Sequence, residues 1–560
     1  MSTVSADELV LERALRWERE RPTRVYLTQP LGGGEVREYT WADTVGEARR
    51  MAAHLKSLGF EPGSRIAILS KNCAQFIMSD LAIWMAGYVS VALYPTLAPE
   101  TIRYILDHSE AKLIFVGKLD DWETMKPGVP DGMPRIAYAL SPATARAEYP
   151  VWEDIVAKTA PLAGDPVRPA DDTALLMYTS GSTGKPKGVE HTFASVAGAA
   201  RSFNEFVKWT DDDRVLSYLP LAHAFERAVI EATSLTAGCV HIFFAESLDT
   251  FNADMKRARP TIFHSVPRLW LKFQQGVLRK MPADKLRRFL KIPIFNRIVK
   301  KKVLTGLGLE ACRLAVSGSA PIPPELIDWY RALGLEMLEG YGMSENFSCS
   351  HVSKAGMARV GYVGSVQPGC ECKLSPEGEV LVKSPGMMKG YYKQPEETAA
   401  VLTSDGWLKT GDRGEIDEHG RLRITGRVKE LFKTSKGKYV APVPIENLLN
   451  ANTLLEQSCV TGANQPQPFA LILLSEDVRK TLNGSKDGDI ERALTELREK
   501  VNAQLDPHEH LEFLAIVREP WLIENGLLTP TMKIKRTVIE QRYETLAEQW
   551  YGAKQVVIWE

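Results

Sequence analysis

A buried strand ending in an anion-binding loop is written into residues 173–189. The apolar run Thr173-Ala-Leu-Leu-Met-Tyr178 reads as the strand that delivers the loop. The segment Thr179 to Val189 then packs three glycines, four hydroxyl side chains and two lysines into eleven positions. Glycines let the backbone turn its N–H groups toward an anion, hydroxyls add donors and lysines supply charge, so the segment suits a polyphosphate. A Walker A loop needs Gly, four residues, then Gly-Lys-Ser/Thr. Here Thr179 stands where that first glycine should be and Pro186 where the metal-binding hydroxyl should be. Walker A fails at both positions.

At 560 residues the chain exceeds what one hydrophobic core usually supports, so at least two domains are expected. A formal net charge of −1 argues against nucleic acid as a partner, because phosphate backbones demand a basic excess. The seven cysteines are scattered, with Cys370 and Cys372 the only close pair, and form no CxxC knuckle; a reducing compartment is expected. The first residues lack the basic and apolar regions of a secretory signal. The longest uncharged stretch, Leu81 to Tyr94, has 14 residues against the roughly 20 a membrane span needs, and reads as a core helix running into a buried strand. A cytoplasmic protein is expected, with peripheral contact on the inner membrane face left open.

Strand-like runs such as Arg65–Leu69, Lys112–Val116 and Val240–Phe244 alternate with helical patterns through the first four-fifths of the chain. This predicts α/β architecture with largely parallel sheets. Around residue 428 a strand runs into a basic, glycine-punctuated loop, and the remainder of the chain is large enough for a separate small α/β domain. The expected division is 1–428 and 429–560, with a hinge near Lys429.

Further motifs carry chemistry. Glu339-Gly-Tyr-Gly-Met-Ser-Glu345 offers an aromatic face for a base and a hard carboxylate suited to Mg²⁺ beside phosphate. In Ser317-Gly-Ser-Ala-Pro-Ile-Pro323, small residues let a planar base lie against backbone. Trp407-Leu-Lys-Thr-Gly-Asp-Arg413 presents a single acid after a glycine turn, and Gly426-Arg427 comes fifteen residues later. Residues 279–302 hold ten lysines and arginines among Leu286, Phe289, Leu290, Ile292 and Phe295, and read as a solvated helical face, a contact for an anionic ligand or a membrane surface.

Together these segments resemble the adenylate-forming superfamily of acyl-CoA synthetases, luciferase and peptide-synthetase adenylation domains, in family order from about residue 40 to 540. The resemblance is nearest the long-chain fatty acyl type. It implies a large N-terminal domain of packed α/β subdomains and a small mobile C-terminal α/β domain. It also implies that Thr179, Ser180, Gly181, Ser182, Thr183, Gly184, Lys185 and Lys187 cover the ATP phosphates. Ser319 and Ala320 would form one side of the adenine slot and Gly340, Tyr341, Gly342 and Ser344 the other, with Glu345 on Mg²⁺. Asp412, Ile424 and Arg427 would serve the ribose or phosphate.

Leu528–Arg536 resembles the segment that carries the adenylation lysine, and Lys533 takes that place. Met532 stands where most members have glycine and the long-chain branch characteristically has a bulky residue, and Ser317-Gly-Ser-Ala-Pro321 resembles the family segment Ser-Gly-Gly-Ala-Pro. His223 in Leu219–Arg227 would sit by the substrate carboxylate or the adenylate, and Pro260–Trp270 would line the acyl pocket. Lys429 would be the hinge of a domain rotation that removes Lys533 and brings Gly437 to the pantetheine arm. The implied reaction is a long-chain-type fatty acid–CoA ligation through acyl-AMP, using ATP, Mg²⁺ and CoA. A ligase loading a carrier protein, an aryl carboxylate substrate and a non-catalytic nucleotide sensor stay open, as do chain length and oligomeric state.

Overall fold

The computed structural model describes residues 4–179, 185–482, 484–529 and 532–560. Ser180, Gly181, Ser182, Thr183 and Gly184 of the expected phosphate loop lie outside them. The chain divides into two compact units. The first comprises residues 1–320, 326–372 and 382–408, the second residues 321–325, 373–381 and 409–560.

In the first unit a seven-stranded sheet runs in the order Gly390–Tyr391, Lys187–Thr192, Thr173–Thr179, Val89–Leu93, Arg65–Leu69, Leu113–Val116, Arg135–Ala137. Its centre is parallel: Ile66 pairs with both Ser90 and Leu113, and Ser90 with Leu175. The edge carrying Lys187–Thr192 and Gly390–Tyr391 is antiparallel. Residues 81–94 form the end of helix Ala74–Met85, buried on all sides, and then the strand Val89–Leu93. Every residue of that helix is apolar or small except Gln75, Ser79 and Asp80, which fits an element with no solvent face. Gly87, at φ +89°, makes the turn between helix and strand.

A second sheet in this unit sets Ile262–Ser265, Leu314–Ser317 and Met337–Tyr341 side by side in parallel, then adds His351–Val352 and Ser365–Val366 antiparallel. A third pairs Val25–Gly32 with His241–Phe244. One large apolar core lies under these elements.

The second unit has a sheet of Leu455–Thr461, Phe469–Leu474, Leu514–Ile516 and Val557–Trp559. All six residues of Phe469–Leu474 are buried. Ala470, Ile472 and Leu474 belong to a core shared with Ile445, Leu449 and Leu494, whereas Phe469, Leu471 and Leu473 belong to one shared with Ile539 and Tyr543. A strand covered on both faces shows no polar alternation, which is why this one reads as a continuous apolar run. No helix among the described residues is long and apolar enough to cross a membrane.

Candidate active site

Thr173–Thr179 and Lys187–Thr192 are the two strands of an antiparallel hairpin, with Tyr178 opposite Gly188 and Thr179 opposite Lys187. The predicted phosphate loop therefore joins strand to strand, where a Walker A loop enters a helix. A Cβ at Gly188 would lie 3.2 Å from Tyr178 Cζ, so the tyrosine ring occupies the space a side chain would take. The Tyr178 hydroxyl is held 2.8 Å from His108 Nδ1. Lys185 stands 5.7 Å from the centre of the Tyr104 ring.

Lys187 is ion-paired with Glu397 and lies 5.0 Å from the Tyr391 ring centre. The Tyr391 hydroxyl donates to Glu345 Oε1 at 2.7 Å. Burial and the neighbouring carboxylate raise the Tyr391 pKa, so the phenol keeps its proton and remains a donor. The chain from phosphate hairpin to candidate metal carboxylate thus runs through a tyrosine that no sequence motif marks. Pairing of Gly390–Tyr391 with the hairpin strand, Tyr391 opposite Val189, puts it there. A second link is His191, also unmarked, whose Nε2 lies 2.8 Å from the Ser344 carbonyl oxygen. Complete burial pushes its pKa down to about 4, so the ring is neutral, with the Nε2 proton donated to that oxygen.

Glu345 itself is 9% exposed and sits in the short turn Ser344–Asn346 that comes after Met337–Tyr341. No group of three or more His, Cys, Asp or Glu able to hold a metal occurs among the described residues. One carboxylate beside polyphosphate nevertheless fits Mg²⁺, which keeps several waters and takes one or two protein ligands.

The parallel strands bring their carboxyl ends together, with Ser265 opposite Ser317 and Ser317 opposite Glu339. In parallel sheets this end is where ligands sit. Gly318 is closed in by Phe225, 3.2 Å from a built Cβ, and Gly342 by the Ser348 backbone at 2.5 Å. Ser319 adopts φ +68°, half-buried, with Ala320 exposed beside it. Gly340 and Tyr341 end the third strand half-buried, the Tyr341 ring 6.0 Å from that of His351. Glu339 is buried and its pKa is pushed up to about 8 by desolvation.

His223 caps the turn Ala224–Glu226: its Nδ1 accepts the Phe225 N–H at 3.2 Å, which leaves Nε2 to carry the ring proton of the neutral form. Glu226, three residues on, is buried and accepts from Ser217 at 2.7 Å, the Tyr218 N–H at 3.1 Å and His264 Nε2 at 2.6 Å. This ties the His223 turn to the strand Ile262–Ser265. Within Pro260–Trp270, Phe263 and Trp270 join an aromatic cluster with Phe273 and Tyr218.

In the second unit Asp412 and Arg427 are directly opposite across the hairpin of Leu408–Ile416 and Leu422–Arg427. Arg427 Nε donates to Asp412 Oδ1 at 2.9 Å. Gly411 provides the φ of +72° before the acid, and Ile424 pairs with Gly414 on the same ladder. Lys429 is exposed in the turn Val428–Glu430. Gly437, at φ +79°, forms the tight turn between Phe432–Lys433 and Tyr439–Val440.

Lys533 is exposed in a small loop closed by the Leu528–Ile534 bridge and by Thr529 N–H to Lys533 O at 2.8 Å. Three residues on, the half-buried Arg536 pairs with buried Glu446, with 2.6 and 2.8 Å contacts to its two oxygens, and lies 3.6 Å from Glu430. That arginine fixes the root of the lysine loop beside the residue following Lys429.

The AMP-binding enzyme family matches residues 13–392, and its C-terminal domain matches residues 430–555. The chain belongs to the AMP-binding enzyme family. A long-chain-fatty-acid–CoA ligase of Mycobacterium bovis is 31% identical over 98% of this chain and 98% of its own. Long-chain-fatty-acid–CoA ligase 1 of Homo sapiens is 30% identical over 88% of this chain and 79% of its own. Among solved structures, the adenylation domain of a carboxylate reductase from Mycobacterium chelonae superposes with a TM-score of 0.79 at 22% identity, covering 97% of this chain and 91% of that one. A benzoate CoA ligase from Burkholderia xenovorans gives 0.75 at 23% identity, covering 95% and 99%. For these solved structures the likeness is one of fold, and the mixed α/β architecture with a large and a small unit agrees with it.

Proposed function

We propose that this chain is an ATP-dependent acyl-CoA ligase acting on fatty carboxylates of the medium- to long-chain class. The observation that carries the reading is the linked hairpin, in which Lys187, Tyr391 and Glu345 tie an anion-binding connection to a carboxylate at the end of the Met337–Tyr341 strand. Near-full-length kinship with long-chain ligases supports the choice of substrate class.

In the first half-reaction a carboxylate oxygen attacks the α-phosphorus of ATP, the bond to the β-phosphate bridging oxygen breaks, and pyrophosphate leaves. Negative charge on the phosphoryl oxygens calls for positioned cations and donors. Lys185, Lys187 and the Thr179 hydroxyl serve the phosphates, and Lys533 serves the charge at the α-phosphate. Glu345, held by the Tyr391 hydroxyl, would hold Mg²⁺, which would supply charge neutralisation at the phosphates. Tyr341, Ser319, Ala320, Gly340 and Gly342 enclose the adenine, and Asp412, oriented by Arg427, accepts from the ribose hydroxyls. His223, whose Nε2 carries the ring proton, donates to the substrate carboxylate.

In the second half-reaction the CoA thiolate attacks the acyl carbonyl and AMP departs. Lys429 is the hinge at the boundary between 1–428 and 429–560, and Gly437 admits the pantetheine arm. Peripheral contact with a membrane suits a substrate that partitions into lipid. The test is pyrophosphate release over a series of fatty and aryl carboxylates, with CoA, a carrier protein or neither. Acyl-CoA formed from fatty acids without carrier supports the reading. Acyl transfer to carrier alone, or turnover of aryl acids only, overturns it.

A further inference from the structure

Helices Pro267–Lys280, Ala283–Lys291 and Pro293–Leu307 pack around a small core of Leu286, Val299, Val303 and Leu333. Outside that core the last helix and the residue before it expose large apolar side chains: Ile294 is 75% exposed, Ile298 57%, Phe295 47% and Ile292 45%. Ile294 and Ile298 are one helical turn apart, so they share a face. Lys291, Arg297, Lys301 and Lys302 are exposed around them. From Arg279 to Lys302 ten basic residues meet one acid, Asp284, an excess of nine positive charges in a chain whose net charge is −1.

A solvated helix face explains the lysines but not the isoleucines, since clustered exposed apolar groups rimmed by polar ones mark an interaction surface. A soluble polyanion such as CoA satisfies the charge and leaves the apolar tips in water. A bilayer with anionic headgroups satisfies both, taking the isoleucines and phenylalanine at the acyl boundary while the cations meet the lipid phosphates. We propose that this three-helix face docks the enzyme on anionic phospholipid membranes. The placement also suits the fatty-substrate reading, although the docking does not depend on it. The first of the three helices carries Phe273, 6.2 Å from Phe263 in the aromatic cluster, and ends in Arg279-Lys280 at the charged face.

The test is sedimentation of the full-length enzyme with vesicles of phosphatidylcholine alone or mixed with phosphatidylglycerol, at low and at high salt. Binding should appear with phosphatidylglycerol, weaken with salt, and fall about tenfold or more in the Ile294→Asp/Ile298→Asp double variant. Both positions are exposed, so the variant should melt like the wild type and turn over soluble octanoate unchanged. Lys301→Glu/Lys302→Glu should lose vesicle binding as well. Equal sedimentation of wild type and the isoleucine variant, or no preference for phosphatidylglycerol, overturns the proposal. So does a raised KM for CoA in the lysine variant with vesicle binding intact, which would make the face a polyanion site. A change confined to oligomeric state overturns it too, and would make the face an interface between copies. Absence of octanoyl-CoA formation would count against the ligase reading alone and leave the vesicle result to stand.

Discussion

Two departures from the family pattern, Ser319 and Met532, fall where the backbone is left-handed, at φ +68° and +63°. Glycine reaches that region freely, whereas other residues are held there at a cost of about 1–2 kcal/mol. Met532→Gly should therefore stabilise the second unit by roughly 0.5–1 kcal/mol after the lost chain stiffness is counted. A denaturant midpoint lower than wild type would show that the methionine side chain supplies more than the backbone loses. Lys533→Ala should abolish acyl-AMP formation and spare thioester formation from supplied acyl-AMP, because its ammonium acts on charge present only in the first half-reaction. Equal loss in both assays would falsify that role. Tyr391→Phe removes the hydroxyl 2.7 Å from Glu345 and should raise the Mg²⁺ needed for half-maximal adenylation by about 10-fold, the scale of a lost partner behind a metal ligand. An unchanged Mg²⁺ dependence would detach the tyrosine from the metal site. Lys533 and Glu345 could be named from their own motifs, whereas Tyr391 could not, because it reaches the site through strand pairing between residues about two hundred positions apart.

At the scale of elements, hairpins do much of the positioning. The fifteen-residue gap between Asp412 and Arg427 is the length of one antiparallel hairpin that returns the arginine to face the acid. Its turn is fixed by Asp417, which accepts from the His419 and Arg421 N–H groups at 3.0 Å each. The phosphate hairpin is fastened at its second strand by His191, a neutral ring buried against the Ser344 carbonyl. Since its folded pKa is about 4 and its unfolded value is 6.5, the unfolded chain binds the extra proton between those values. Stability from this group is thus lost as pH falls from 6.5 toward 4. His191→Gln keeps a donor for the carbonyl without the titration, so acidification to pH 4 should cost the wild type on the order of 3 kcal/mol more than the variant. Parallel stability–pH curves for the two proteins would show that the imidazole is not held neutral.

At the scale of the whole molecule, the second compact unit takes in residues 373–381 and begins its main stretch at Lys409, while the family's C-terminal domain starts at residue 430. Packing decides where the Asp412–Arg427 hairpin belongs, whereas a hinge is a place where torsions change, so the two boundaries need not coincide. Lys429, exposed in its turn, remains the proposed pivot. Lys429→Pro fixes φ near −65° and should spare acyl-AMP formation while cutting acyl-CoA production steeply, if the protein rests in the adenylating arrangement. Full acyl-CoA synthesis by this variant would put the hinge elsewhere.

The sequence alone determined the α/β class and the family, and it named the candidate site residues, because each motif is contiguous and the chemistry it suggests is local: glycines for backbone approach, hydroxyls and lysines for a phosphate, a carboxylate for a hard cation. The uncharged run Leu81–Tyr94 likewise marked the end of the Ala74–Met85 helix and the Val89–Leu93 strand. Only the tertiary structure decided what links those motifs. The antiparallel return at Lys187, the Tyr391–Glu345 bond, the neutral His191 on Ser344 and the Arg536–Glu446 pair at the root of the lysine loop all join segments that are not neighbours in the chain. A contact of that kind is selected by sheet register and burial of the whole fold, and no local pattern of residues records it.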